Sequence, residues 1–196
     1  TGAGKLSGSL CAMSEDLASS AGSHDDVALH RLAEQLGDLL RSQHLTVCTA
    51  ESCTGGWISK MITDVPGCSD WFECGMAAYS YEAKQALLGV RPETLELHGA
   101  VSRETVLEMV SGALVHSGAT VAVAVTGIAG PGGGTPDKPV GTVWIAWKRR
   151  GGYASAELHQ FGGDREAGQH RDVRFRTIPI VVITAVHDAL DRVREV

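Results

Sequence analysis

Three stretches of this chain carry residues whose types and spacing could do chemistry. The first is CTAESCTGGW, residues 48–57, with Ser52 at its centre. A serine where a strand hands over to a helix could attack a carbonyl carbon. The helix start offers free backbone N–H groups and a partial positive charge, which suit an oxyanion or a phosphate. Thr54 follows, and Gly55 and Gly56 would let a ligand approach the backbone closely. The opposing reading is structural: Ser52 or Thr54 caps the helix and the glycines make the turn. The nucleophile-elbow order GxSxG is absent. Cys53 is a rival nucleophile, because a helix N-terminus lowers a thiol's pKa. Adjacent side chains diverge, however, so only one of the two is expected to face a site.

The second stretch is AAYSYEAK, residues 77–84. Lys84 could act as general base for a serine if burial lowered its amine pKa. Tyr79 or Tyr81 could relay a proton or orient that lysine. Alternatively Lys84 is a solvated helix residue and the tyrosines are rim aromatics. The third stretch is VTGIAGPGGGTPDKPVGTVW, residues 125–144, with five glycines between Gly127 and Gly134. Thr126 stands at the carboxyl end of a buried strand, the edge where α/β sheets place ligands. Gly127, Gly130 and the glycines after them could wrap an anion with backbone N–H groups. The bland alternative is a surface loop. Neither the P-loop order nor GxGxxG is met. A lesser signal is GGDR, where Arg165 could fork onto a phosphate or be an ordinary surface charge.

The eight histidines form no HxH or HExxH pair, so no metal is expected. Five cysteines without a CxxC pair point away from disulfides and zinc and toward a reducing, cytoplasmic setting. A net charge of −6 disfavours nucleic-acid binding by general charge attraction. No apolar run approaches the roughly 18–20 residues needed to span a bilayer, and no signal peptide is expected.

These residues need a scaffold. The 196 residues, 43% of them hydrophobic, suit one globular domain with a real core. Residues 1–25, rich in Gly, Ser, Ala and Asp, are expected to be a tail, with the folded unit over 26–196. Apolar spacing predicts a helix over 27–43, capped by Asp25 or Asp26. A strand over 45–50 follows, then a short helix over 57–63. A second strand is predicted over 75–80, helical turns over 82–88 and 92–97, and a helix over 103–116 capped by Ser102. The run TVAVAVT, residues 120–126, reads as a strand buried on both faces. Strands over 140–148 and 153–161 are joined by a hairpin at Arg149-Arg150-Gly151-Gly152. A long kinked helix is predicted over 166–193. The alternation of helices and strands, followed by a hairpin, implies a single-domain α/β/α sandwich with a mixed sheet flanked by helices. The apolar segment 178–186 could be core or subunit surface, and a homo-oligomer is the expectation.

Together TAESCTGG, AYSYEAKQALLGV, HGAVS, VTGIAGPGGGTPDKPVGTVW and FGGDR resemble the C-terminal domain of the competence-damage-inducible protein CinA, over roughly residues 27–194. Stand-alone forms of that domain are bacterial nicotinamide mononucleotide deamidases. The resemblance implies hydrolysis of this nucleotide to nicotinic acid mononucleotide and ammonia in pyridine nucleotide recycling, with no cofactor and a small-molecule partner. It implies a serine nucleophile paired with a lysine, which fall on Ser52 and Lys84, and a tyrosine, Tyr79 or Tyr81. The common pattern is YSNEAK, so Tyr81 stands where asparagine is frequent. Thr126, Gly127 and the following loop match TGIAGP and would line the site, and Arg165 matches GDR as a phosphate partner. A non-catalytic nucleotide-binding module and a hydrolase of another amide or phosphate ester are the alternatives.

Overall fold

The computed structural model describes residues 23–161. The expected long C-terminal helix, the 178–186 segment and Arg165 lie outside the described residues, as does most of the expected N-terminal tail.

The first helix, α1 (Ser23–Ser42), starts ahead of the predicted boundary. Asp25 and Asp26 therefore lie inside it rather than at its cap. Leu29, Ala33, Leu36 and Leu40, at helical spacing, are all buried, and each full leucine burial is worth about 1.5–3 kcal/mol. Next come β1 (Val47–Glu51), α2 (Trp57–Thr63), a 3-10 turn (Cys68–Asp70) and β2 (Phe72–Ala77). Then follow α3 (Tyr81–Leu88), α4 (Pro92–His98) and α5 (Arg103–Val115). The chain continues through β3 (Val121–Gly127), β4 (Thr142–Arg149) and β5 (Ser155–Gln160). Ser102 caps α5 as expected, accepting from the Thr105 N–H.

The sheet is mixed, in the order β2-β1-β3-β4-β5. β1 pairs in parallel with both β2 and β3, while β3–β4 and β4–β5 are antiparallel. Helices cover both faces. Along β3 the alternation is sharp: Val121, Val123 and Val125 join the core under α1 and α2, and Ala122 and Ala124 join the core under α3, α4 and α5. Small residues on the second face (Ala50, Ala122, Ala124, Ala146) let α5 lie close to the strands.

β2 ends at Ala77, earlier than predicted, because after a last ladder bond from the Ala78 N–H the chain turns away at residues 79–80 to enter α3. Ser80 is the cap there, accepting from the Ala83 N–H. The carboxyl ends of β1, β2 and β3 thus converge at one edge, with β1 central. The chain leaves β1 on one side for β2 and returns across it to β3, the topological switch point where open α/β sheets hold ligands.

Helix α5 meets α3 closely at Gly112, where an added Cβ would stand 1.7 Å from the Leu88 carbonyl oxygen. Helix propensity alone favours Gly112→Ala by about 1 kcal/mol, but overpacking costs about 1–3 kcal/mol. At this distance from rigid backbone the clash should win. Urea denaturation should show Gly112→Ala destabilised.

Candidate active site

The strand period decides which residue occupies the elbow after β1. Val47 faces α1 and α2, and alternation sends Thr49 and Glu51 the same way. Glu51 is fully buried, and its carboxylate accepts six hydrogen bonds. On Oε1 they come from the Ser59 N–H (2.8 Å), the Ser59 hydroxyl (2.6 Å) and the Thr49 hydroxyl (3.3 Å). On Oε2 they come from the Thr54 hydroxyl (2.6 Å), the Gly56 N–H (3.1 Å) and the Ile58 N–H (3.0 Å). The start of α2 is therefore capped by Glu51. Gly56 is the N-cap residue by position and gives no side-chain bond, and neither Ser52 nor Thr54 caps the helix.

Ser52 is buried, with 7% of its surface exposed. Its N–H extends the β1–β3 ladder by donating to the Val125 carbonyl at 3.0 Å. The Ala78 N–H likewise extends the β1–β2 ladder to the Glu51 carbonyl at 2.8 Å. Lys84 lies one turn into α3. Helical side chains lean back toward the N-terminus, which carries its ammonium over the carboxyl end of β2. Lys84 is fully buried. Its Nζ contacts the Ser52 hydroxyl at 2.9 Å, the Ala78 carbonyl at 2.9 Å and the Tyr79 carbonyl at 2.8 Å.

Burial lowers the Lys84 pKa from its ordinary value to about 8, partly opposed by the nearby Cys53. The three contacts fix what a neutral Lys84 does. A neutral amine has two N–H donors and one lone pair. Carbonyls can only accept, so they take the two N–H groups and the lone pair faces the Ser52 O–H. Ionised, Lys84 donates to all three. Cys53 does not behave as a helix-terminus thiol. Burial is the largest influence and Glu51 adds to it, pushing its pKa up to about 12. It packs in the apolar core and is no rival nucleophile.

The other predicted residues divide. Thr54 spends its hydroxyl on Glu51. Gly55 and Gly56 have φ of +63° and +97° with open space where a Cβ would stand, so the turn requires glycine and leaves room beside it. Thr126 is fully buried and donates to the Ala100 carbonyl at 2.8 Å. Gly127 meets β4 closely, since a Cβ there would lie 2.7 Å from Val143 Cγ2. Gly130 sits in the glycine loop with φ of +82°. The Tyr79 side chain is 70% exposed and that of Tyr81 is 44% exposed. Neither phenol hydrogen-bonds to Ser52 or Lys84; it is the Tyr79 backbone that does. The Tyr81 hydroxyl lies beside Gly99.

Sequence reasoning missed Glu51 as the organiser of the elbow. Its one signal was a carboxylate closing a buried apolar strand just before TGG. Among the described residues, no group of three or more His, Cys, Asp or Glu side chains could hold a metal, and no helix is long and apolar enough to cross a membrane.

Fold and site together define an α/β protein with a buried serine–lysine pair at the carboxyl edge of its parallel strands. The sequence model of the CinA C-terminal domain matches residues 29–177, and the chain belongs to that family. It is 52% identical over 142 residues to "Nicotinamide-nucleotide amidohydrolase PncC" of Escherichia coli strain K12, spanning 72% of this chain and 86% of that one. A protein of the same name from Pseudomonas putida is 53% identical over 142 residues, spanning 72% and 88%. Among solved structures, the competence/damage inducible protein CihA of Agrobacterium tumefaciens matches with a TM-score of 0.76 and 42% identity, covering 84% of this chain and 96% of that one.

Glu51→Gln tests the elbow. Each carboxylate oxygen receives at least one backbone N–H, so either orientation of the amide sets N–H₂ against an N–H donor. The substitution should cost about 1–3 kcal/mol in urea denaturation.

Proposed function

We propose that this protein hydrolyses nicotinamide mononucleotide to nicotinic acid mononucleotide and ammonia, with Ser52 as nucleophile and Lys84 as general base. The observation that carries the reading is the 2.9 Å approach of a fully buried lysine to a buried serine hydroxyl. The names of the relatives at about half identity over most of their length supply the substrate.

The chemistry runs as follows. Neutral Lys84 takes the Ser52 proton as Oγ attacks the carboxamide carbon, giving a tetrahedral oxyanion. Lys84, now an ammonium, passes that proton to the departing nitrogen, and ammonia leaves an acyl-enzyme on Ser52. Water, deprotonated by Lys84, attacks the ester, and Lys84 returns that proton to Ser52 Oγ as the C–O bond breaks and the acid is freed. The N–H groups of Cys53 and Thr54 take no oxygen acceptor among the described residues, and they flank the nucleophile. They are the donors we assign to the oxyanion. Tyr79 and Tyr81, exposed near the α3 entry, suit the pyridinium ring through cation–π attraction. Arg165 and the glycine loop are assigned to the phosphate. Such an activity belongs to pyridine nucleotide recycling.

Two measurements test this. Ser52→Ala should lower ammonia release from nicotinamide mononucleotide roughly 10³-fold or more while leaving the thermal transition in place. Near-normal turnover by that variant would refute the serine mechanism, and product-free binding by the wild type would favour a binding module. The pH profile gives the second test. Lys84 must be neutral to act, so kcat/KM should rise with pH, reach half its maximum near pH 8 and level off about one unit above that. A profile flat from pH 6 to 9 would exclude Lys84 as the base.

A further inference from the structure

The glycine loop after β3 is closed at its base as an extension of the sheet. The Ile128 N–H donates to the Thr142 carbonyl, and the Gly141 N–H to the Ile128 carbonyl. Beyond that base the backbone curls around a cavity of about 540 Å³, lined entirely by loop residues between positions 131 and 140. Neither Ser52 nor Lys84 lines it. Such a segment loses much conformational entropy on being held in one shape, because glycine has the most freedom to lose. Something must hold it.

Residues 129–138 make few hydrogen bonds. Thr135 and Lys138 close a turn on each other, N–H of Thr135 to the Lys138 carbonyl and N–H of Lys138 to the Thr135 hydroxyl. Among the described residues, the hydrogen bonds that leave this segment for the rest of the molecule are both made by Lys138. Its ammonium donates to the His98 carbonyl at 3.1 Å and to the Val101 carbonyl at 2.8 Å. These carbonyls belong to the HGAVS turn between α4 and α5, which is itself firmly held. The Gly99 carbonyl accepts from the Ser102 and Thr105 hydroxyls, and the Ala100 carbonyl from Thr126. All four consecutive carbonyls are thus tied by side chains. Thr126 ties the turn to β3, one residue past Val125, whose carbonyl holds Ser52.

We infer that Lys138 is a positioning residue, a latch that fastens the glycine loop to the HGAVS turn and so sets how well the loop binds substrate. Two charge-assisted bonds from one ammonium fix a ten-residue excursion against an anchor continuous with the Ser52 edge of the sheet. The link to substrate rests on the function proposed above; the latch itself does not.

The experiment has two arms on the full chain. Limited digestion with subtilisin, cuts mapped by mass spectrometry, reads the loop directly. Lys138→Met should be cut within residues 129–137 roughly tenfold faster than wild type, with Lys138→Arg, which keeps two donors, cut more slowly than Lys138→Met. Pro139 keeps position 138 from becoming a new cleavage point. The second arm is steady-state kinetics with nicotinamide mononucleotide. Lys138→Met should raise KM about tenfold to a hundredfold with kcat nearly unchanged, and Lys138→Arg should recover part of that loss. Unchanged loop cleavage in Lys138→Met overturns the latch, whatever the kinetics show. A raised KM with unchanged cleavage would mean that Lys138 touches substrate instead. If the wild type does not deamidate the nucleotide, the functional reading fails, and the digestion still decides the latch.

Discussion

The buried carboxylate of Glu51 is the constraint on which the site depends. A charge with no solvent contact must be fully hydrogen-bonded or it destabilises the fold. Glu51 meets this by collecting six donors from Thr49, Thr54, Gly56, Ile58 and Ser59. Those bonds wind the chain tightly back on itself, and Gly55 and Gly56 must take positive φ for the turn to close. These bonds, with the Trp57 N–H donated to the Thr54 carbonyl, use up the N–H groups at the start of α2. An anionic ligand finds no donors to claim there. The helix end therefore offers no backbone donor to a standing phosphate.

Lys84 is the second buried charge, and the protein treats it differently. Glu51 is surrounded by hydrogen-bond donors. Lys84 has two carbonyls and a hydroxyl, and burial still lowers its pKa. A lysine in that position costs stability while it is protonated: the unfolded chain holds the proton up to pH 10.5, the folded chain only to about 8. Stability from this group accordingly rises with pH across that window. Such a cost is characteristic of functional positions rather than of packing. It also explains a local irregularity. β2 stops at Ala77 because the carbonyls of Ala78 and Tyr79 are needed by the amine, not by the sheet.

Much of the scaffold was legible in the sequence, because α1, α5 and β3 have strong apolar periodicity and Ser102 is a favourable cap, whereas Ser80, read as the end of a strand, caps α3. Ser52 and Lys84, 32 residues apart, were legible as chemistry but not as neighbours; only the β1–β2 pairing brings them together. Glu51 escaped notice because capping signals are sought at the residue flanking a helix, whereas this carboxylate reaches forward from a strand five residues before Gly56. Thr126 and Gly127 carried a ligand-like pattern; in the fold the Thr126 hydroxyl bonds the HGAVS turn and the Gly127 backbone lies close against β4. Tyr79 was considered for its phenol, and its carbonyl makes the bond. Backbone roles of this kind leave no trace in residue type.

The two faces of the sheet contribute unequally to the site. Valines on one face build a thick core under α1 and α2, and Glu51 is the polar end of that layer. Alanines on the other face bring α5 close, and with it the turn at the α5 N-terminus. That approach places the Ala100 carbonyl within reach of Thr126 and the His98 and Val101 carbonyls within reach of Lys138. The Ser52 elbow and the glycine loop are therefore positioned by opposite layers, and β3 connects them: Val125 holds the Ser52 backbone, Thr126 holds the turn that Lys138 grips, and Gly127 begins the loop. A change in how α5 seats on the alanine face would move the loop's anchor while leaving the Glu51 elbow in place. Loop position and the geometry of the Ser52 elbow are separable in this fold because different helices, packed on different faces, determine them.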